Sequence, residues 1–334
     1  MSRTVMSKQK QNLKIACALD WDVLRQVVKS KPTVDRAKYD FDVVQALKRL
    51  YTDLHLVPVS HDPWQVLDVL RQLKPDVVFN LALSAREREP SFVGCLDFLG
   101  IPYTGSGASG IALGNDKIRS RELLRVAGVR VPRFVGLPID ASDVVLDLTP
   151  PVIVKPAYLG ASSDGIYNDS VVNTTEAAMA CARRIWTRFG VPAVCDEFIV
   201  GRELRIGVIE DAPGAQFRLV GIGESLFPGT VPGWGFKSEG LRINPRVRRA
   251  RGVETVAPQL PKSVEAELLA IANTACLALD QRGYATLDVR MDDFGRITVL
   301  EINANPGLYK RSLIWSRPSF TSNIHRIVQA ALER

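Results

Sequence analysis

Apolar positions along the chain switch between strand-like runs and helical spacing. Residues 13–19 read as a strand. In 40–51, Phe41, Val44, Leu47 and Leu50 fall on one side of a helix. A strand over 54–59, a helix over 63–73 and a strand over 76–80 come next, so the chain opens as a parallel α/β unit. A second stretch begins with a helix over 117–127, closed by Gly128. It continues with a buried-type strand over 151–156 that ends on Lys155-Pro156, a loop of small residues to Gly165, and a helix over 175–189. The third stretch holds strands, an arginine-rich loop over 242–251, a helix over 263–279, a hairpin and a final helix. The divisions expected are 1–116, 117–195 and 196–334. No internal repeat or low-complexity tract interrupts them.

The hairpin is the most informative pattern. Asp288-Val289-Arg290-Met291 and Val299-Leu300-Glu301-Ile302-Asn303 read as two strands around a turn at Asp292-Asp293-Phe294-Gly295. Alternation puts Leu287, Val289 and Met291 on one face with Leu300 and Ile302. Asp288, Glu301 and Asn303 share the other. With that turn, Glu301 is diagonal to Asp288, roughly 7–8 Å away. Two carboxylates and an amide over an apolar back form a hard-oxygen set suited to Mg²⁺, completed by phosphate oxygens. A solvated hairpin face has the same pattern.

Length and composition narrow the class. A chain of 334 residues exceeds the ~250–300 at which single cores stop growing, so several domains are expected. The five cysteines lack a C-x-x-C pair and read as free thiols of a reducing compartment. The apolar run 15–19 is too short for a signal segment and no run approaches a membrane span, which predicts a soluble, cytoplasmic protein. The net charge of +7 concentrates at Arg242, Arg246, Arg248, Arg249 and Arg251. A solvated loop, an anion-handling lid and a nucleic-acid patch are open readings there. Against the last, no aromatic residues interleave and no nucleic-acid motif is present.

Several motifs exclude themselves. Gly105-Ser106-Gly107-Ala108-Ser109-Gly110 matches G-x-G-x-x-G, but Pro102 precedes it and Asn115-Asp116-Lys117 interrupts the stretch after it, so it reads as a connecting loop. No Walker lysine comes after a G-x-x-x-x-G. His55, His61 and His325 are scattered and suggest neither a zinc set nor a nucleophile's base.

The order of 101–107, Asn115-Asp116-Lys117, 151–156, the loop 157–165, 196–204 and the hairpin resembles the D-alanine–D-alanine ligase branch of the ATP-grasp enzymes, over about residues 76–313. The resemblance implies an ATP-grasp fold: an N-terminal parallel α/β domain and two α+β domains clasping ATP. It implies a carboxylate–amine ligase that makes an acyl phosphate and releases ADP and phosphate, a chemistry of positioning and charge neutralisation. Lys117 and Lys155 align with lysines that meet the phosphates. Ser162 belongs to the phosphate loop and, with Arg290, to the implied catalytic set. Asp196 or Glu197 falls where the adenine edge is read, Ile199 joins the ATP set, and Glu203 aligns with the acid that holds the ribose. Asp288, Glu301 and Asn303 align with ligands of Mg²⁺, two ions being usual and Mn²⁺ able to substitute. Ser312-Leu313 matches the pair that receives the second substrate's carboxylate. Amino-acid-like small molecules are the implied partners, with a homodimer compatible and no nucleic acid or membrane expected.

The departures concern the first substrate. The family arginine two residues before the metal aspartate is Thr286 here, and Arg290, on the same face as Asp288, is the candidate replacement. The glycine-rich acidic signature is absent around 18–26. The histidine–glycine stretch is replaced by 83–89, the first phosphate-loop serine is Ala161, and the mobile loop's lysine–tyrosine pair aligns with Glu239-Gly240. The expected activity is peptide or amide bond formation on an amino-acid-like substrate. The alternatives are cell-wall D-alanyl-D-alanine synthesis and, of other classes, nucleotide binding without catalysis or nucleic-acid binding through the arginine stretch.

Overall fold

In a computed structural model of the chain, residues 11–30, 35–59, 62–82, 89–141, 144–158, 164–243 and 245–334 are described. The first part contains β1 (Gln11–Asp20), α1 (Trp21–Val28), α2 (Asp35–Leu50), β2 (Tyr51–Val59), α3 (Pro63–Leu73), β3 (Val77–Leu81), α4 (Glu89–Phe98) and α5 (Ala108–Asn115). Its sheet is parallel in the order β2-β1-β3, and Tyr103 adds a parallel bridge to Val78. Both faces of β1 are apolar because both are covered. Ile15, Cys17 and Leu19 meet Val44 and Leu47 of α2, while Ala16 and Ala18 meet Val66 and Leu70 of α3.

The second part contains α6 (Lys117–Val126), β4 (Phe134–Leu137), β5 (Val152–Pro156), β6 (Val171–Val172), α7 (Thr175–Phe189) and β7 (Ala193–Glu197). Its antiparallel sheet runs β4-β7-β5-β6, and α7 packs Ala178, Ala182 and Ile185 against Val152 and Val154. The third part contains β8 (Arg202–Glu210), β9 (Phe217–Leu226), α8 (Glu239–Ile243), α9 (Pro245–Ala250), β10 (Glu254–Val256), α10 (Lys262–Ala278), β11 (Tyr284–Met291), β12 (Ile297–Ala304) and α11 (Phe320–Leu332). Its sheet is antiparallel, β10-β9-β8-β11-β12. Leu204, Ile206, Leu287 and Val289 point to α10, so period-two alternation sends Glu203, Arg205, Asp288 and Arg290 to the opposite face. The closing helix α11 returns to the first sheet, burying Ile324, Ile327 and Val328 in the cluster built on β1.

The structure departs from the sequence reading in three places. The hairpin turn is longer than four residues: Met291 pairs with Ile297, and the Asp292 side chain accepts the N–H groups of Phe294 and Arg296. A bulge at Leu300 then brings Glu301 directly opposite Asp288 instead of diagonal to it. Leu300 consequently leaves the apolar face and lines the cleft. The arginine stretch, expected as a loop, forms α8 and α9. Finally, α5 opens inside the G-x-G-x-x-G segment, whose Ser106 N–H donates to the Asn305 side chain at 2.8 Å. The segment is a contact between the first and third parts.

The five cysteines are free thiols: Cys17, Cys181, Cys195 and Cys276 are buried and Cys95 is half-buried. Burial, with Asp196 beside it, pushes the Cys195 thiol up to about 12, and burial raises Cys17, Cys181 and Cys276 as well. Since thiolates react and thiols do not, a disulfide-exchange reagent at pH 8 is expected to label Cys95 quickly and the others only on unfolding. Fast labelling of the native protein at a second cysteine contradicts this.

Candidate active site

A cleft opens between the four- and five-stranded sheets, lined by Lys155, Asp196 and Glu197 on one side and by Glu203, Arg205, Asp288, Arg290 and Glu301 on the other. Lys155 stands near the end of β5, and α6 delivers Lys117 at its first position. The α6 start is fixed locally: the Asp116 carboxylate accepts from the N–H groups of Ile118 and Arg119. Both lysines are buried. Burial lowers the Lys117 pKa, Glu301 at 3.9 Å opposes that shift, and the nearby charges of Lys155 and Arg121 add to it. Two buried lysines side by side, with Arg121 adding to the positive charge at Lys117, form a site made for an anion.

Asp196 lies beneath them. Its carboxylate holds Lys155 at 2.7 Å and Arg121 at 2.6 Å, and Arg121 also donates to the Leu300 carbonyl. Both carboxylate oxygens are thus committed to cations. Of the two candidates for the adenine edge, Glu197 is half-buried on the cleft wall, and Asp196 is a buried counterion.

The acidic pair is tightly organised. Asp288 and Glu301 face each other across the hairpin, and the Asn303 amide donates to both, at 3.4 and 3.3 Å. Like charges in directly opposite positions repel. Arg205, directly opposite Asp288 on β8, offsets this with two hydrogen bonds to its carboxylate, at 2.5 and 2.6 Å. Burial alone would raise the Asp288 pKa, but the guanidinium of Arg205 holds it well below the usual carboxylate range. No group of three His, Cys, Asp or Glu side chains suited to a metal occurs among the described residues, so the oxygen set is two carboxylates and an amide.

Arg290, the candidate cation for the acyl centre, is engaged by acceptors on the cleft floor. Its guanidinium bonds Glu203 at 3.0 Å and the carbonyls of Ile199, Gly233 and Gly235, and lies over the Phe198 ring. It fastens the cleft floor to the segment after β9. Glu203, the expected ribose acid, is held between Arg290 and Lys237, the latter at 3.4 Å. Phe198 and Phe236 line this end of the cleft, with Trp234 stacked on Phe198. Ile199 is at the same end. Ser162 lies outside the described residues, as do 159–163 around it. Ser312 and Leu313 are half-buried, and the Ser312 hydroxyl accepts the Ile314 N–H. Glu239 faces away from the cleft chemistry: it binds Arg188 at 2.7 and 2.9 Å and the Gly165 N–H at 3.1 Å, tying α8 to the end of the 157–165 loop.

Three functional candidates escaped the sequence reading: Arg121, Arg205 and Lys237. For Arg205 a signal existed, since alternation along Glu203-Leu204-Arg205 puts it on the Glu203 face. Arg121 and Lys237 reach the site only through the packing of separate segments.

The geometry defines a cleft between two antiparallel sheets in which buried cations face a pair of carboxylates, and its relatives are of one kind. A family model described as the D-ala D-ala ligase C-terminus matches residues 138–317. The D-alanine–D-alanine ligase of Gluconobacter oxydans (strain 621H) is 30% identical over 273 residues, covering 81% of this chain and 84% of that one. The enzyme of the same name from Chromohalobacter salexigens is 33% identical over 255 residues, covering 74% and 73%. The crystal structure of the Bacillus anthracis D-alanine–D-alanine ligase complexed with ATP superposes with a TM-score of 0.72 at 17% identity, covering 97% of this chain and 98% of that one. The fold is the ATP-grasp fold. The chain belongs to the D-alanine–D-alanine ligase family of ATP-dependent carboxylate–amine ligases.

Proposed function

We propose that the chain joins the carboxylate of an amino-acid-like substrate to the amine of a second, through an acyl phosphate, and that its first substrate is not D-alanine. The carrying observation is that Lys155 from β5 and the Asp288–Glu301 pair from the hairpin line one cleft, and that Lys117 from α6 stands behind it, 3.9 Å from Glu301 and within reach of the Lys155 charge. A substrate carboxylate oxygen attacks the γ-phosphorus of ATP, the bond to the β-phosphate oxygen breaks, and ADP leaves. The amine nitrogen of the second substrate then attacks the acyl carbon, the acyl carbon–oxygen bond breaks, and phosphate leaves with the amine's proton passing to solvent.

Within that scheme Lys117 and Lys155 bind the phosphates and Glu203 the ribose, while Phe198 and Phe236 flank the base and Glu197 meets its edge. Asp288, Glu301 and Asn303 fit Mg²⁺: all are hard oxygen donors, and the bulge at Leu300 sets the carboxylates opposite each other. The set is too small for a closed cage, which suits an ion completed by phosphate oxygens. Bound there, the metal neutralises charge on the β- and γ-phosphates. Ser312 and Leu313 receive the second substrate's carboxylate. The first-substrate reading rests on Thr286 and on the altered N-terminal residues. Asn80 and Asn305 now meet on the Glu89 carboxylate, at 3.5 and 2.9 Å, a buried arrangement on the edge of the first sheet.

The joining of two D-alanines is the second reading, favoured by the names of the relatives. Phosphate and ADP release across D- and L-amino acids, with mass detection of the product, tests both. ADP with a product other than D-alanyl-D-alanine is expected. AMP and pyrophosphate would show adenylation instead, and D-alanine as the best first substrate would return the chain to the second reading.

A further inference from the structure

We propose that Arg205 is the cation of the acyl centre in this chain, and that until the metal–nucleotide complex arrives it holds the metal-binding oxygens of Asp288. The inference rests on the ligase reading above. It moves the role expected of Arg290 to a neighbouring strand.

The first observation is where each guanidinium is committed. Arg290 is buried among Glu203 and three carbonyls, and turning it toward Glu301 would strand all four acceptors. Arg205 lines the cleft, where both of its bonds to Asp288 are made, and its side chain is 29% exposed. Its fork is bidentate on a carboxylate, the geometry with which a guanidinium also takes phosphoryl or acyl-phosphate oxygens.

The second observation is what lies beside it. On β8, Arg205 stands two residues before Gly207; on β11, Asp288 stands two after Thr286, and Thr286 pairs with Gly207. These side chains share one face. Along that face the sheet turns to glycine: a side chain at Gly207 would collide with Ile314, and one at Gly221 with the Leu313 carbonyl. The 312–315 segment therefore lies directly on the sheet, one rank from Arg205. Arg205 thus stands between the Asp288–Glu301 pair and the segment that carries Ser312 and Leu313. That interval is where an acyl phosphate must meet an incoming amine.

The third observation is Thr286. It is buried at the Gly207 rank, which Ile314 covers, next to the rank of Arg205, and its hydroxyl finds no hydrogen-bond partner among the described residues. A buried polar atom of this kind calls for a partner, which a bound ligand at this rank would supply. A cation on β11 at this rank and one on β8 at the next reach the same space, so Thr286 and Arg205 read as a relocation of one positive charge.

The two halves of the proposal are coupled. Asp288 cannot give its oxygens to both Arg205 and a metal in the same geometry. When the metal takes them, the guanidinium is released toward the transferring phosphoryl group, where it offsets charge that grows in the transition state.

The test uses probes that do not require the amino acid: Mn²⁺ alone followed by its free-ion EPR signal, Mg·ADP, and Mg·ADP with aluminium fluoride as a mimic of the phosphoryl in flight. In Arg205→Thr, Mn²⁺ is expected to bind about tenfold tighter than in wild type, and Mg·ADP, whose metal must displace Arg205 in the same way, should bind no more weakly, while the aluminium fluoride complex should bind on the order of 10²-fold more weakly. Arg205→Lys keeps the charge without the fork and should fall between, while Arg205→Thr/Thr286→Arg should regain at least tenfold. Equal aluminium fluoride affinity in wild type and Arg205→Thr overturns the proposal, as does weaker Mn²⁺ binding. A wild type that binds Mg·ADP but gains nothing from aluminium fluoride overturns the ligase reading, and this one with it.

Discussion

Glu301→Gln is expected to lower kcat by about 10³-fold, roughly 4 kcal/mol of transition-state stabilisation, with the fold intact. The substitution is isosteric, so its effect is electrical. Glu301 faces Asp288 directly, and the repulsion between them is offset by Arg205 on one side and by Lys117 at 3.9 Å on the other. Removing one negative charge relaxes the apo site, so thermal stability should hold or rise slightly. It also leaves a bound divalent ion facing one carboxylate where it had two, just as charge accumulates between ADP and the γ-phosphate. Steady-state phosphate release at saturating ATP, beside a melting curve, checks both halves. A variant that keeps more than a tenth of wild-type kcat would remove Glu301 from the metal set.

Much of this architecture is legible in the sequence because its periodicities are local. The helical spacing of Phe41, Val44, Leu47 and Leu50 predicts α2, whose Val44 and Leu47 are buried on the first sheet. Alternation along 287–291 predicts that Asp288 turns away from the apolar face toward the side that Glu301 and Asn303 share, and the structure has it so. What the sequence hides is register and long-range pairing. One extra residue in β12, the bulge at Leu300, decides whether two carboxylates are diagonal or opposite, and nothing in Val299-Leu300-Glu301 signals it. The partners of Arg121 and Arg290 lie 75 and 87 positions away in Asp196 and Glu203, distances at which only the folded chain can pair them. A resemblance to a family carries residues over by alignment and cannot see that Arg205, at an unremarked position, has entered the acidic site.

Asp196→Ala is expected to destabilise the protein by ~3–5 kcal/mol, while Glu197→Ala leaves stability near wild type and raises the KM for ATP. Family alignment left these neighbours interchangeable, but the folded environment separates them. The side chains of Asp196 and Arg121 are each 1% exposed and 2.6 Å apart, and Lys155 adds a second buried cation at 2.7 Å. Removing the carboxylate strands two buried positive charges in a region of low dielectric, which is the costly way to break such a set. Lys155→Met is milder for folding, because Asp196 keeps Arg121. Its effect should appear in nucleotide binding. Double variants sharpen the distinction: Arg121→Met should restore much of the stability lost by Asp196→Ala, since it removes one of the stranded charges. Chemical or thermal unfolding gives the first quantity, and ATP titration of phosphate release the second. If Asp196→Ala melts with the wild type and fails only in ATP affinity, Asp196 touches the nucleotide and the buried triad is incidental to the fold.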